Sequence, residues 1–147
     1  MPMPLPMPFT IRHSSIDGKG VFATGPIATG TMIAPYKGRR VLGDRTARAE
    51  QIAGAHTMSF DLPDGTTLDG RLAFNPVRFL NHRCEPNCSA YYAHGHLRIY
   101  AIADIAPGEE LTLDYQLSRP QPWRSGLSRR FRCRCDSGQC RGSLLAA

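Results

Sequence analysis

A mostly β domain with one short helical insertion is the fold class this sequence predicts, and three observations carry the prediction. Short apolar stretches rich in β-branched and aromatic residues recur at Phe9 to Arg12, Val21 to Ala23, Met32 to Tyr36, Met58 to Leu62, Leu97 to Ile102 and Leu111 to Leu113; such stretches read as strands. Turn signals separate them at Asp17-Gly18, Asp64-Gly65, His94-Gly95 and Pro107-Gly108, each supplying a fixed φ or tolerance of φ > 0. A chain of 147 residues, 41% of them hydrophobic, is long enough to bury one core and too short for two ordinary domains.

Taken in order, residues 1–8 alternate proline with apolar residues, and proline lacks a backbone donor, so an extended, flexible arm is expected there. The strand from Phe9 turns at Asp17-Gly18 into Val21 to Ala23, and Met32 to Tyr36 follows. Asp44 is a good N-cap and Gly54 a good stop for a helix over Asp44 to Ala53. The insertion of about Val41 to Gly70 then returns through Met58 to Leu62. A short helical turn is expected around Pro76 to Leu80. From Ser118 to Arg132 proline, serine, glycine and arginine take over, with Trp123 the single large apolar side chain. This reads as a connector to a terminal cysteine cluster that would not fold alone without metal. The expected organisation is an arm over 1–8, a domain over 9–117, and a connector with a metal-binding segment over 118–147.

The formal charge is +6, from sixteen arginines and two lysines, and the isoelectric point is about 9.4. Scattered arginines reflect the nucleotide composition of a genome. The stretch Arg119 to Arg141 differs, with seven arginines and Asp136 as its only acid, which suits weak contact with nucleic acid or another anionic partner. No apolar run is long enough to span a bilayer, and the start lacks the charge and apolar continuity of a signal peptide. A soluble protein without a membrane partner is expected, cytoplasmic in a bacterium and nuclear in a eukaryote. Oligomeric state is not legible.

Cys84, Cys88, Cys133, Cys135 and Cys140 are an odd set that cannot all pair as disulfides. Cys133-Arg134-Cys135 with Cys140 suits three thiolates on one structural zinc ion, and Cys84 or Cys88 must supply the fourth. An iron–sulfur cluster fits the spacing less well. Three further segments draw attention: Arg78-Phe79-Leu80-Asn81-His82-Arg83-Cys84-Glu85-Pro86-Asn87-Cys88, Gly108-Glu109-Glu110-Leu111-Thr112-Leu113-Asp114-Tyr115, and Ser15-Ile16-Asp17-Gly18-Lys19-Gly20-Val21-Phe22. Singly they read as a self-satisfied turn, an edge strand and a weak glycine loop.

Together, and in this order, these four segments resemble the SET-domain protein lysine methyltransferases with a post-SET zinc segment, over about Phe9 to Leu144. The resemblance implies small β-sheets around a pseudoknot, with the Tyr115 segment passing through a loop formed near Asn81. It implies S-adenosylmethionine held by Asp17, Gly18, Lys19, Gly20, Asn81 and His82, with Phe131 and Arg134 beside the adenosine. Tyr115 is the implied catalytic tyrosine, and Tyr36 lines the lysine channel. Cys84 becomes the fourth zinc ligand, leaving Cys88 free. The partner is then a protein or peptide bearing a lysine. Histone tails are the best-known substrates, and a chain this small and arginine-biased also resembles bacterial members that modify nucleoid, ribosomal or host proteins. Alignment for in-line displacement is what a narrow channel supplies, and orientation alone can lower a barrier by roughly 7–11 kcal/mol. The family usually has phenylalanine or tyrosine where Leu113 stands; a smaller residue without a hydroxyl implies di- or trimethylation.

Departures are Gly38-Arg39-Arg40 after the channel tyrosine and Arg83 after Asn-His, both ascribed to solvent exposure. No cysteine precedes Cys84 in this sequence, so the pre-SET zinc cluster of some relatives is not expected within these residues. Two rivals remain: a zinc-stabilised binding protein on the same scaffold, which leaves Tyr36, Asn81, His82 and Tyr115 without a purpose, and a basic zinc-ribbon nucleic-acid binder, which leaves the Asn-His and Asp-Tyr segments unexplained.

Overall fold

The computed structural model describes residues 7–42, 59–70, 75–115, 132–135 and 137–143. Its strands are β1 (Phe9–His13), β2 (Lys19–Ala23), β3 (Met32–Pro35), β4 (Arg39–Leu42), β5 (Ser59–Asp61), β6 (Thr66–Asp69), β7 (Asn81–His82), β8 (Cys88–Ala93), β9 (His96–Ala101) and β10 (Glu110–Leu113). A 3₁₀ turn, η1 (Pro76–Phe79), precedes β7, where proline at the first position loses no needed donor. No α-helix occurs among the described residues. The expected helix over Asp44 to Ala53, residues 1–6 of the arm, Phe131, and the connector from Ser118 up to residue 131 lie outside the described residues.

Three small sheets result. In the first, ordered β1-β2-β10-β7, the first half of β10 runs antiparallel to β2, with Leu111 opposite Val21. On its other side β10 runs parallel to β7, pairing Thr112 with Asn81 and Leu113 with His82. The second is β3-β9-β8. Its β8–β9 hairpin closes through His94 and Gly95, both at positive φ (52° and 79°), the two-residue turn whose twist matches the strands it joins. The third, β4-β6-β5, covers the described flanks of the insertion. Those flanks are sheet and not helix, because Arg39–Leu42 pairs along its whole length with Thr66–Asp69. Arg40 ties this sheet to the second: its guanidinium meets Asp64 at 2.9 Å and the Gly95 carbonyl at 2.8 Å. Arg39 and Arg40 are exposed, as expected, whereas Arg83 is half-buried.

One core joins the sheets. Val21 and Leu111 enter it from the first, Ile33 and Ile99 from the second, Leu68 from the third, and Val77 from η1. Fully burying each such side chain contributes roughly 1.5–3 kcal/mol. Anchoring Val77 there fixes where η1 ends, and so fixes Leu80, Asn81 and His82 against β10.

Candidate active site and cysteine cluster

The β7–β10 pairing is the hub of the site. Asn81 is buried, and its amide Nδ2 donates to the carbonyls of Asp17 (3.0 Å) and Lys19 (3.1 Å) and to Glu110 Oε2 (2.9 Å). The same carboxylate accepts from Ser14 Oγ at 2.7 Å, and Ser14 Oγ in turn accepts the Ile16 N–H. Gly20 sits so close that a β-carbon there would lie 2.4 Å from Glu110 Oε2. Gly18 turns the loop at φ +44°, which glycine adopts at no steric cost. Asp17, Gly18, Lys19 and Gly20 are thereby brought to Asn81 and pinned from behind. A loop held in one shape by its own side-chain scaffold fits a ligand recognised largely through backbone groups.

Tyr115 lies at the end of this strand. Its hydroxyl donates to the Leu80 carbonyl, its backbone N–H donates to His82 Nδ1 at 3.0 Å, and its ring meets the His82 ring edge-on at 5.3 Å. Burial holds the His82 pKa below its usual value, against the opposing pull of Asp114. With Nδ1 accepting, the neutral ring carries its proton on Nε2, which faces Cys84 Sγ at 3.3 Å. Asp114 is held by Arg141 through two bonds of 2.8 and 2.9 Å. Leu113 is buried beside this group.

Tyr36 is buried and meets Phe60 edge-on at 4.7 Å. Burial first, and then the charge of Asp69, pushes its hydroxyl pKa above the usual value, so it stays protonated. A β-carbon at Gly70 would come within 2.5 Å of the Tyr36 hydroxyl, and one at Gly38 within 2.6 Å of the Asp69 carbonyl. Both glycines let backbone approach where a side chain has no room. Asn75, buried at the start of η1, accepts weakly from the Lys37 N–H (3.4 Å), and its side chain lies beside the Tyr36 hydroxyl, whose pKa it pulls down against the effect of burial.

The structure gathers Cys84, Cys133, Cys135 and Cys140 with all four sulfurs within 4.8 Å of one another. Tetrahedral zinc with bonds of about 2.3 Å spaces its sulfurs roughly 3.8 Å apart; Cys84 lies 3.7 Å from Cys133 and 3.9 Å from Cys140. Each sulfur also accepts at least one backbone N–H: Cys84 from Arg141, Cys133 from Cys135, Cys135 from Cys84 and Ser137, and Cys140 from Gly142. Such donors favour thiolates, so the group fits a metal ion. Cys88 stands apart in the core, where burial pushes its thiol up to about 12. Arg134 is exposed between two of the cysteines.

Glu110, Ser14, Asn75 and Arg141 were given no role by sequence reasoning. The second glutamate of Gly108-Glu109-Glu110 and the arginine after the last cysteine look like solvated charges or strand residues until the fold closes.

Residues 18–116 match the SET domain family. The histone-lysine N-methyltransferase trithorax of Drosophila virilis is 34% identical over 141 residues, covering 91% of this chain and 4% of that protein. Histone-lysine N-methyltransferase 2B of Homo sapiens is 32% identical over 160 residues, 95% of this chain and 6% of its own. The H3 lysine-4 specific histone-lysine N-methyltransferase of Candida albicans is 33% identical over 145 residues, 93% and 14%. The chain therefore spans a small part of the length of these relatives. With two thirds of its residues inside the family match, and the loop, Asn-His, Asp-Tyr and cysteine segments meeting at one place, the chain belongs to the SET domain family.

Proposed function

We propose that this chain is an S-adenosylmethionine-dependent protein-lysine N-methyltransferase whose substrate is a lysine of histone H3, with residues 9–117 as the transferase body and 118–147 as connector and zinc-binding segment. The observation that carries the reading is the β7–β10 pairing, with the Asn81-held loop at one side of this short parallel ladder and Tyr115, whose hydroxyl donates to the Leu80 carbonyl, two residues past its end. The names of the relatives, one of them H3 lysine-4 specific, support the substrate class. A histone substrate implies a nuclear location in a eukaryotic host.

Asp17, Gly18, Lys19, Gly20, Asn81 and His82, with Phe131 and Arg134, would hold S-adenosylmethionine, which supplies an electrophilic methyl carbon on a sulfonium sulfur. Tyr36 walls the lysine channel as a protonated phenol. It orients the entering amine by hydrogen bonding and is a poor base, because burial and Asp69 hold its proton on. Tyr115 gives its own proton to the Leu80 carbonyl, so its oxygen presents lone pairs to a polarised methyl group and fixes its direction. Leu113 adds an apolar wall with no hydroxyl to tether a methylated amine. Cys84, Cys133, Cys135 and Cys140 would hold one zinc ion, whose chemistry here is structural.

Incubation with labelled S-adenosylmethionine and recombinant histone H3, followed by mass spectrometry, tests the reading. Label is expected on lysine. Folded, zinc-loaded protein that labels neither H3 nor any fraction of host protein would overturn it.

A further inference from the structure

Five contacts close a ring between the cysteine cluster and Tyr115. The Arg141 backbone N–H donates to Cys84 Sγ at 3.2 Å. The Arg141 guanidinium forks onto both oxygens of Asp114 at 2.8 and 2.9 Å. Asp114 is bonded in sequence to Tyr115, whose N–H donates to His82 Nδ1 at 3.0 Å. His82 Nε2 returns to Cys84 Sγ at 3.3 Å. We infer that Arg141 is a positioning residue for Tyr115, acting through Asp114 so that the backbone at the end of β10 is registered against the cysteine segment. This rests on the lysine methyltransferase reading above.

The two-bond geometry is what gives the pair its content. A lysine in the same place would supply charge but a single contact, and the carboxylate would be free to rotate about it. Asp114 is only partly exposed, at 17% of its side chain, and Arg141 at 28%, so solvent weakens the pair but does not dissolve its geometry. A residue on the last turn of the cysteine segment thus reaches 27 positions back along the chain to the neighbour of the tyrosine. Displacement of a reacting or orienting group by about 1 Å can cost on the order of a hundredfold in rate.

The test compares full-length, zinc-loaded wild type with Arg141→Met, Arg141→Lys, Asp114→Asn and the exchanged pair Asp114→Arg/Arg141→Asp. Turnover and KM on histone H3, affinity for S-adenosylmethionine by calorimetry, zinc per chain and melting temperature are measured on each. Arg141→Met and Asp114→Asn are expected to lower turnover about ten- to a hundredfold, with KM, cofactor affinity and zinc content close to wild type. Arg141→Lys should lose less, the exchanged pair should recover part of the loss, and the double variant Asp114→Asn/Arg141→Met should be no worse than either single change. Wild-type turnover in folded Arg141→Met overturns the inference alone, as does a loss accompanied by missing zinc and a lowered melting temperature, which would make Arg141 a prop of the metal segment. A wild type that methylates no protein overturns the proposed function and the inference with it.

Discussion

The Tyr115 hydroxyl has one proton, and the Leu80 carbonyl takes it, so what this group can offer a bound ligand is its oxygen. Replacing it with phenylalanine removes that oxygen while the ring stays against His82. Tyr115→Phe is expected to lower turnover by about a hundredfold or more, the range seen when one oriented polar group is taken from a transition state, while calorimetry finds cofactor affinity unchanged; near-normal methylation by the folded variant would exclude the role. Leu113, two residues earlier, is buried and lacks a hydroxyl. Mass spectra of an H3 peptide at rising enzyme concentration should show di- or trimethyl-lysine, and Leu113→Tyr should shift products towards fewer methyl groups; monomethyl-lysine alone, unchanged by Leu113→Tyr, would sink the idea. At this scale the sequence was readable where spacing restricts the chemistry, as with the cysteines that the fold gathers, whereas Asn81-His82 and Tyr115 stood out only together, through the family resemblance. Glu110 and Arg141 were not readable, because a carboxylate beside another carboxylate and an arginine among arginines acquire partners only from 96 and 27 residues away.

At the scale of elements, legibility followed side-chain burial. Phe9–His13, Lys19–Ala23 and His96–Ala101 bury apolar residues on one face, Met32–Pro35 buries Ile33 and Ala34 at a register irregularity, and all four announce themselves by composition. β4, with Arg39 and Arg40, and β7, with only Asn81 and His82, carry no such signal; they are strands because β6 and β10 pair with them. The parallel register of β7 on β10 also explains how a two-residue strand can shape the loop of Asp17 to Gly20, since it brings the Asn81 amide within reach of three acceptors. Asn81→Ala leaves the Asp17 and Lys19 carbonyls and the Glu110 carboxylate without that donor, at a cost of about 1–3 kcal/mol for the uncompensated groups. Cofactor affinity should fall roughly five- to a hundredfold. Glu110→Gln, which keeps the shape and weakens the acceptor, should fall less. Calorimetric titration with S-adenosylmethionine checks both, and unchanged affinity in folded Asn81→Ala would show that the loop keeps its shape without the amide.

For the whole molecule, the cysteine cluster decides whether residues 132–143 belong to the fold at all. Among the described residues that segment's backbone pairs with itself at the Arg132–Ser143 bridge, at the Cys133 N–H to the Gly142 carbonyl and at the Cys140 N–H to the Ser137 carbonyl, and it contributes no large apolar side chain to the core. Its attachment runs through Cys84, about fifty residues upstream, where a cross-link of that span restrains the unfolded chain by on the order of 4 kcal/mol on the loop-entropy argument used for disulfides. Removing the metal should therefore release this segment before the three sheets, whose shared core does not depend on it. Elemental analysis is expected to find one zinc per chain, kept by Cys88→Ser and lost by Cys84→Ser. After stripping with a strong chelator, amide exchange should quicken over 132–143 while β8 and β9 stay protected. An alkylating reagent should then modify four cysteines and spare Cys88, whose thiol is buried and resists ionisation below a pH of about 12. Native protein without metal, or zinc that follows Cys88 and not Cys84, would remove the cluster as the clasp, and with it the reason for Arg141 to lie beside Asp114.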